Sequence, residues 1–399
     1  MSTAQHQDSI FQRFTGVASS VLALATMFLV TAVAIQSAQA QSFTILYSFT
    51  NGSDGGQPYA SLVKDSAGNL YGTTAVGGAS GFGTVFKVDT TGKETVLYSF
   101  SGGADGANPW AGLVWGPARS LYGTTEAGGA SGYGTVFKLS KTGKKTVLYN
   151  FTGTSDDGAY PFSRLIWDKA GNLYGTTYKG GASGYGSVFE LSKSGKDKVL
   201  YSFAGGADGG NPYAGVVRDP AGNLYGTTFG IFGVDYGTVF KLNTAHKEKV
   251  LHAFSGGTDG GYPYYGGLVR DPAGNFYGTT SFGGANQYFG TVFKVSRAGK
   301  QTVLYSFTGG ADGGQPNASV ILDSKGNLYG TTVGGGASGH GTIFKLDRTG
   351  KETVLYSFTG GTDAAAPDAD LLRDAAGNLY GTSIAGGTAG GGTVFKLTP

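Results

Sequence analysis

Apolar and polar residues change places along this chain in short bursts, too short for helices. In residues 61–100 the apolar runs are Leu62-Val63, Leu70-Tyr71, Val85-Phe86-Lys87-Val88 and Val96-Leu97-Tyr98. Turn formers bound each run: Asp65-Ser66-Ala67-Gly68-Asn69, a Gly-rich stretch from Gly77 to Gly83, and Thr90-Thr91-Gly92-Lys93. β-branched and aromatic residues between turn residues predict strands. The pattern predicts four here: 61–64, 70–74, 84–88 and 95–100. No window keeps a 3.6-residue spacing long enough for a helix, and glycine interrupts each candidate.

The same block recurs. Leu-Tyr-Gly-Thr starts at Leu70, Leu121, Leu173, Leu224, Leu328 and Leu379, with Phe276 standing for Leu once. Val-Phe-Lys places Phe at 86, 137, 189, 240, 293, 344 and 395, with Ile343 and Glu190 as single departures. A third marker ends in Phe49, Phe100, Phe151, Phe203, Phe254, Phe307 and Phe358. Three markers agree on seven units. Four antiparallel strands in about 50 residues is the size of a propeller blade. The stretch after residue 40 opens on a fourth strand, 43–49, and the chain closes on a third strand, 393–397. The expected fold is therefore all-β, a seven-bladed β-propeller whose last blade is completed by the N-terminal strand, which leaves no open sheet edge.

Composition narrows the class. Glycine numbers 74 but proline only 11, which excludes collagen. Aromatics at 13% and charged residues at 14% exclude a disordered chain. The net charge of +3 is spread evenly and gives no footprint for nucleic acid. The chain has no cysteine, so thiol catalysis, Cys-based metal sites and disulfides are out. Residues 1–40 differ from the rest. Arg13 precedes an apolar run from Val17 to Ile35, and Ala38-Gln39-Ala40 supplies an A-x-A cleavage site. This predicts a signal peptide at 1–40 and a single propeller domain at 41–399, secreted, periplasmic or held at the cell surface, with no membrane span after cleavage. Retention of the apolar run as an anchor is the alternative.

The recurrent Gly-Asn-Leu-Tyr-Gly-Thr-Thr, Gly-Gly-Ala-Ser-Gly-Tyr-Gly-Thr-Val-Phe-Lys and Thr-Val-Leu-Tyr-Ser-Phe resemble the GloVer-type tandem repeat of exported bacterial proteins, over residues 43–399. The resemblance implies an exported repeat protein with no defined activity. The Asp-x-x-Gly-Asn-Leu-Tyr hairpin also resembles NHL and gluconolactonase-like propellers, over about ten residues per blade.

Candidate chemistry is sparse. One Asp recurs in each link between blades, at 54, 105, 157, 208, 259, 312 and 363. An Asx-turn explains it better than calcium, which needs six to eight oxygens about 2.3–2.6 Å away. No metal or cofactor is expected. No nucleophile elbow, H-E-x-x-H or dinucleotide fingerprint is present, so no catalytic residue is assigned. The long loops between second and third strands share one face with the links between blades, and both bear aromatics. After the link Pro stand Tyr59, Trp110, Phe162, Tyr213 and Tyr264; the loops add Phe82, Tyr133, Tyr185, Tyr236 and Phe289. Units six and seven break the pattern with Asn317, Asp368, His340 and Gly391. The site expectation is therefore a polar notch of Asn317, His340, Asp368 and Asp370, with Tyr59 and Trp110 as its aromatic wall. The expected function is non-enzymatic binding or scaffolding of a glycan or extracellular protein through this face. The alternative is a propeller enzyme, a glycan-cleaving hydrolase or lyase or a lactonase-type hydrolase, for which Asp368 and Asp370 are the one unit-specific carboxylate pair.

Overall fold

Glycine decides how the strands of a blade stack. In a computed structural model, which describes residues 41–399, Gly72 pairs with Phe86 across the second and third strands. A Cβ on Gly72 would meet Phe86 Cζ at 2.7 Å and Leu62 Cδ2 at 3.1 Å. The recurring glycine thus makes room for the Phe ring of its own blade. The ring it admits then reaches the neighbour: Phe86 packs edge-on against Phe49 of the preceding blade, centroids 5.0 Å apart. The same Phe–Phe contact recurs at Phe100–Phe137, Phe151–Phe189, Phe203–Phe240, Phe254–Phe293, Phe307–Phe344 and Phe358–Phe395. The core therefore lies between blades.

Seven four-stranded antiparallel sheets form a β-propeller, with no α-helix among the described residues. Blade 1 comprises Val63–Lys64, Leu70–Thr74, Thr84–Val88 and Glu94–Ser99. The first strand is shorter than the pattern predicted, because Ser61 leaves the ladder to line the central channel. Blade 7 takes its fourth strand, Ser42–Ser48, from the other end of the chain, beside Thr393–Thr398. The expected signal at 1–40 lies outside the described residues. Blade 2 has Gly116 where blade 1 has Asp65 in the first hairpin, and there Pro117–Arg119 form a 3-10 turn with Ala118 at φ 57.

Each pair of blades is joined by one residue just before the link Pro. Gln57, Asn108, Tyr160, Asn211, Tyr262, Gln315 and Ala366 all have φ between 51 and 58. Gln57 N–H donates to the Gly391 carbonyl of blade 7 at 2.8 Å, and its own carbonyl accepts from Ala75 N–H of blade 1 at 3.1 Å. Equivalent bonds recur at all seven junctions. Proline disfavours the helical region in the residue before it, and left-handed non-glycine backbone costs on the order of 1–3 kcal/mol. Two backbone hydrogen bonds, each about 1 kcal/mol net, offset that cost. A threonine in the second strand adds another tie: Thr73 Oγ1 donates to the Ala111 carbonyl of the next blade at 3.1 Å, and Thr382 to Ala60 at 3.2 Å across the closure.

The link aspartates cap their turns. Asp105 accepts from Ser101 N–H at 3.0 Å and from the Tyr98 hydroxyl at 2.9 Å. His252 takes the tyrosine's part toward Asp259, with Nε2 3.0 Å from the carboxylate. The hairpin Asp65 accepts from Ala67 N–H, Asn69 N–H and the Tyr71 hydroxyl, each at 2.9 Å. Its burial raises the pKa, but the bonds from Asn69 and Tyr71 outweigh it and hold the carboxyl below its usual range.

The residue opening each fourth strand behaves differently. Gln301 Nε2 donates to the Asp259 carbonyl at 3.1 Å, and Lys145 Nζ donates to the Asp105 carbonyl. Glu94, Asp197, Glu248 and Glu352 hold the same position, and each has a buried carboxyl oxygen without a partner. Burial, then the charge of the nearby link aspartate, pushes each up to about 7. Protonated, each can donate as Gln301 does.

Two outcomes follow. Phe49→Ala should cost about 3–5 kcal/mol in denaturant unfolding, as much as Phe203→Ala at an internal junction. A clearly smaller cost at Phe49 would mean that the closure is looser than the other junctions. The four raised carboxyls bind more protons folded than unfolded between about pH 4.3 and pH 7, so stability should fall as pH rises through that window and level off above it. Melting temperature is therefore expected to be higher near pH 5 than near pH 8. Combining Glu94→Gln, Glu248→Gln and Glu352→Gln should flatten the difference.

Candidate functional site

After each left-handed residue the proline, with its fixed φ, turns the chain toward the axis of the ring. The last glycine of the preceding loop permits this: a Cβ on Gly83, at φ 91, would come within 2.7 Å of Pro109 Cδ. The residue after proline stands at the mouth of the central channel. Around the ring these are Tyr59, Trp110, Phe162, Tyr213 and Asp368, which line it, and Tyr264 and Asn317, which adjoin Tyr265 and Asp368. Ser61, Gly112, Arg164, Gly215, Ser319 and Asp370, two positions on, and Gly267, three positions on, form a second layer, and Val63, Val114, Ile166 and Val217 lie below it. The small residues of the second layer leave space, and the cavity measures about 550 Å³.

The mouth is an almost continuous belt of rings. Tyr59 and Trp110 have centroids 4.1 Å apart, Trp110 and Phe162 6.1 Å, Phe162 and Tyr213 5.2 Å, and Tyr213 and Tyr264 4.8 Å. Trp110 is further fixed by its Nε1–H, which donates to Glu126 Oε2 at 2.6 Å. Tyr265 completes the belt. It lies 4.1 Å from Tyr264, 5.5 Å from Tyr213 and 6.5 Å from Tyr59, and so spans from blade 5 toward blade 1. Sequence reasoning missed this residue. Blade 5 has one residue more than the others between the link Pro and the first strand, Pro263 to Leu268 against Pro58 to Leu62. The signal was present: Phe240 to Phe293 is the longest step of its marker, 53 residues. The insertion has a local cost. Thr227, the blade 4 counterpart of Thr73, has a buried hydroxyl with no partner.

The carboxylates sit where the belt is interrupted. Asp368 is 6% exposed, and its Oδ1 is buried without a hydrogen-bond partner. Burial pushes its carboxyl up to about 7, against a hydrogen bond from Asn317 that favours the charged form. Its charge adds to burial in raising the Tyr59, Tyr264 and Tyr265 hydroxyls. Asp370 Oδ1 accepts from Ser319 N–H at 2.7 Å. Burial raises its carboxyl too, opposed by that N–H and by the Arg164 guanidinium across the channel.

Of the residues singled out from sequence, Tyr59, Trp110, Asp368 and Asp370 line this one cavity, and Asn317 adjoins Asp368. His340 stands apart. Its ring covers Gly360 of the following link, as Phe82 covers Gly102 and Tyr133 covers Gly153. The loop aromatics thus hold the next link in place, and the four departures of units six and seven divide between channel and rim. A second group of rings is exposed on the same face over blades 4 and 5. Phe232 is 80% exposed, Val234 71% and Tyr288 59%. Phe232 stacks on Tyr262, centroids 5.4 Å apart, and Tyr288 meets Phe282 edge-on at 5.6 Å. Among the described residues no cluster of His, Cys, Asp and Glu suited to a metal ion is present, and no helix is long and apolar enough to cross a membrane.

Similar solved structures show the fold. The extracellular domain of BT4673 from B. thetaiotaomicron superposes with a TM-score of 0.51 at 11% identity, covering 84% of this chain and 37% of that one. PorZ, a bacterial surface component of the type-IX secretion system of Porphyromonas gingivalis, gives 0.50 at 16% identity, covering 84% and 46%. A Bacteroides uniformis protein described as a 6-phosphogluconolactonase gives 0.49 at 16%, covering 74% and 83%. This chain thus spans less than half the length of the first and second of these. No curated protein matches the sequence. The Gloeobacter/Verrucomicrobia repeat model matches three times, over residues 26–231, 121–268 and 218–399, and with the seven repeated blades this places the chain in the Gloeobacter/Verrucomicrobia repeat family.

Proposed function

We propose that this protein is an exported, non-enzymatic binding module that recognises a glycan or an extracellular protein through its long-loop face. The observation behind this reading is the distribution of exposed apolar side chains. Phe232, Val234 and Tyr288 stand out from the loops of blades 4 and 5, beside the belt of the channel mouth. Phe232 and Tyr288 lie in loops that depart from the Gly-Gly-Ala-Ser-Gly pattern of blades 1, 2, 3 and 6. Exposed aromatic groups cost solubility and do nothing for the core, and they are the residues on which interfaces concentrate binding energy. The A-x-A site after the apolar run supports export. The rings suit the apolar faces of sugars as well as a protein's side chains.

A glycan array and an extracellular-peptide array should each be probed with the purified protein. Binding to at least one is expected. The double variant Phe232→Ser, Tyr288→Ser should lose about tenfold or more of that affinity while melting as the parent does. Unchanged affinity in the double variant would remove the rim from the reading. Turnover of a glycan or lactone that is abolished by Asp370→Asn would replace binding with the hydrolase alternative.

A further inference from the structure

We propose that the mouth of the central channel is a binding site for a quaternary ammonium group, with Tyr59, Trp110, Phe162, Tyr213 and Tyr265 around the cation and Asp368 as its counter-charge. This site is separate from the exposed rim of blades 4 and 5.

Asp368 carries an orphaned oxygen. A carboxylate that is nine-tenths buried normally fills its acceptor sites, since an unmet buried polar group costs about 1–3 kcal/mol and a charged one more. Asp368 receives help from Asn317, yet Oδ1 has none. The other lining residues of this layer supply no positive charge. Among the described residues that line the cavity Arg164 is the one cation, and it lies a layer deeper, where it acts on Asp370. With Asp368 ionised, its layer of the cavity carries a negative charge and no positive one. It therefore lacks a cation.

The rings specify which cation. A metal ion would need several further oxygens at close range, and the mouth is lined by one carboxylate, Asp368, among aromatic side chains. A primary ammonium brings three N–H donors, each wanting an acceptor. A quaternary ammonium brings none. Its charge is spread over methyl groups that pack against aromatic rings, and the ring quadrupole attracts it. Five rings and one buried carboxylate match that chemistry. Tyr265 is the element that makes the enclosure: without the extra residue of blade 5, the belt would stop at Tyr264 and leave the sectors of Asn317 and Asp368 open.

The site also sets a pH dependence. The groups facing Asp368 are Tyr59 of blade 1, Tyr264 and Tyr265 of blade 5, Asn317 of blade 6, and Asp370 with Arg164 in the layer beneath. The tyrosine hydroxyls are held neutral, so Asp368 is the group of the mouth that titrates near neutrality. A bound cation favours the carboxylate, so binding releases a proton. Affinity should rise with pH through about 7 and weaken by up to tenfold per unit below it.

Calorimetric titration of the protein near pH 8 with choline and with 3,3-dimethylbutan-1-ol, its uncharged isostere, tests the proposal. Choline is expected to bind one to one, at least about tenfold more tightly than the isostere. Asp368→Asn should weaken choline by about tenfold or more and abolish the pH dependence. Tyr265→Ala, which removes one ring of the channel mouth, should weaken it independently and covers the case in which Asp368→Asn does not fold. The rim variant Phe232→Ser, Tyr288→Ser should bind choline as the parent does, so loss of glycan or peptide binding there leaves this site intact. Equal affinity for choline and the isostere, no heat at millimolar choline, or unchanged affinity in both channel variants would overturn the proposal.

Discussion

One backbone residue per junction, held left-handed immediately before a proline, fixes the geometry on which this ring depends. Its N–H reaches back to the loop of one blade and its carbonyl accepts from the second strand of the next. The same residue therefore sets the spacing of the blades and aims the following proline and aromatic at the axis. The junction and the channel lining are one construction. Sheets that pack face to face through Phe pairs would tolerate some sliding. The paired backbone bonds do not, because both must be made at once for a residue in a costly conformation.

Position in the repeat then assigns each side chain its role. Residues that recur in all seven units, such as the Phe of the third strand or the link aspartate, serve the junctions and turns. Residues that vary just after the link proline or in the long loops serve the channel or the rim. Carboxyl groups show the same split. Asp65 and Asp105, rich in donors, are held charged, whereas Glu94, buried near the charge of Asp54, and Asp368, buried with one donor from Asn317, are held toward the neutral form.

The seven units, the four strands of each and the closure by 43–49 were legible because three markers repeat in register and turn chemistry bounds each strand. Tyr59, Trp110, Asp368 and Asp370 were legible as unusual places after the link proline. Two things were not. The left-handed Gln57, Asn108 or Ala366 share no side-chain chemistry, since only their backbone is used, and proline argues for the opposite conformation. His340 looked equivalent to Asp368 because both replace an aromatic, but the two aromatic positions differ in depth: one lines the channel and the other covers a glycine at the rim. Sequence spacing places a residue in a blade and does not say how far it lies from the axis.

A closed ring has no free end at which a mismatch can relax. At the junction of blades 4 and 5 the extra residue displaces the acceptor that six other threonines find, and Thr227 is left with a buried, unsatisfied hydroxyl. That junction is the seam of the molecule. It adjoins Tyr265, which reaches toward Tyr59 at the channel mouth. The insertion that narrows the entrance thus also removes a hydrogen bond from the wall beside it, so that one added residue carries a gain at the mouth and a cost at the junction together.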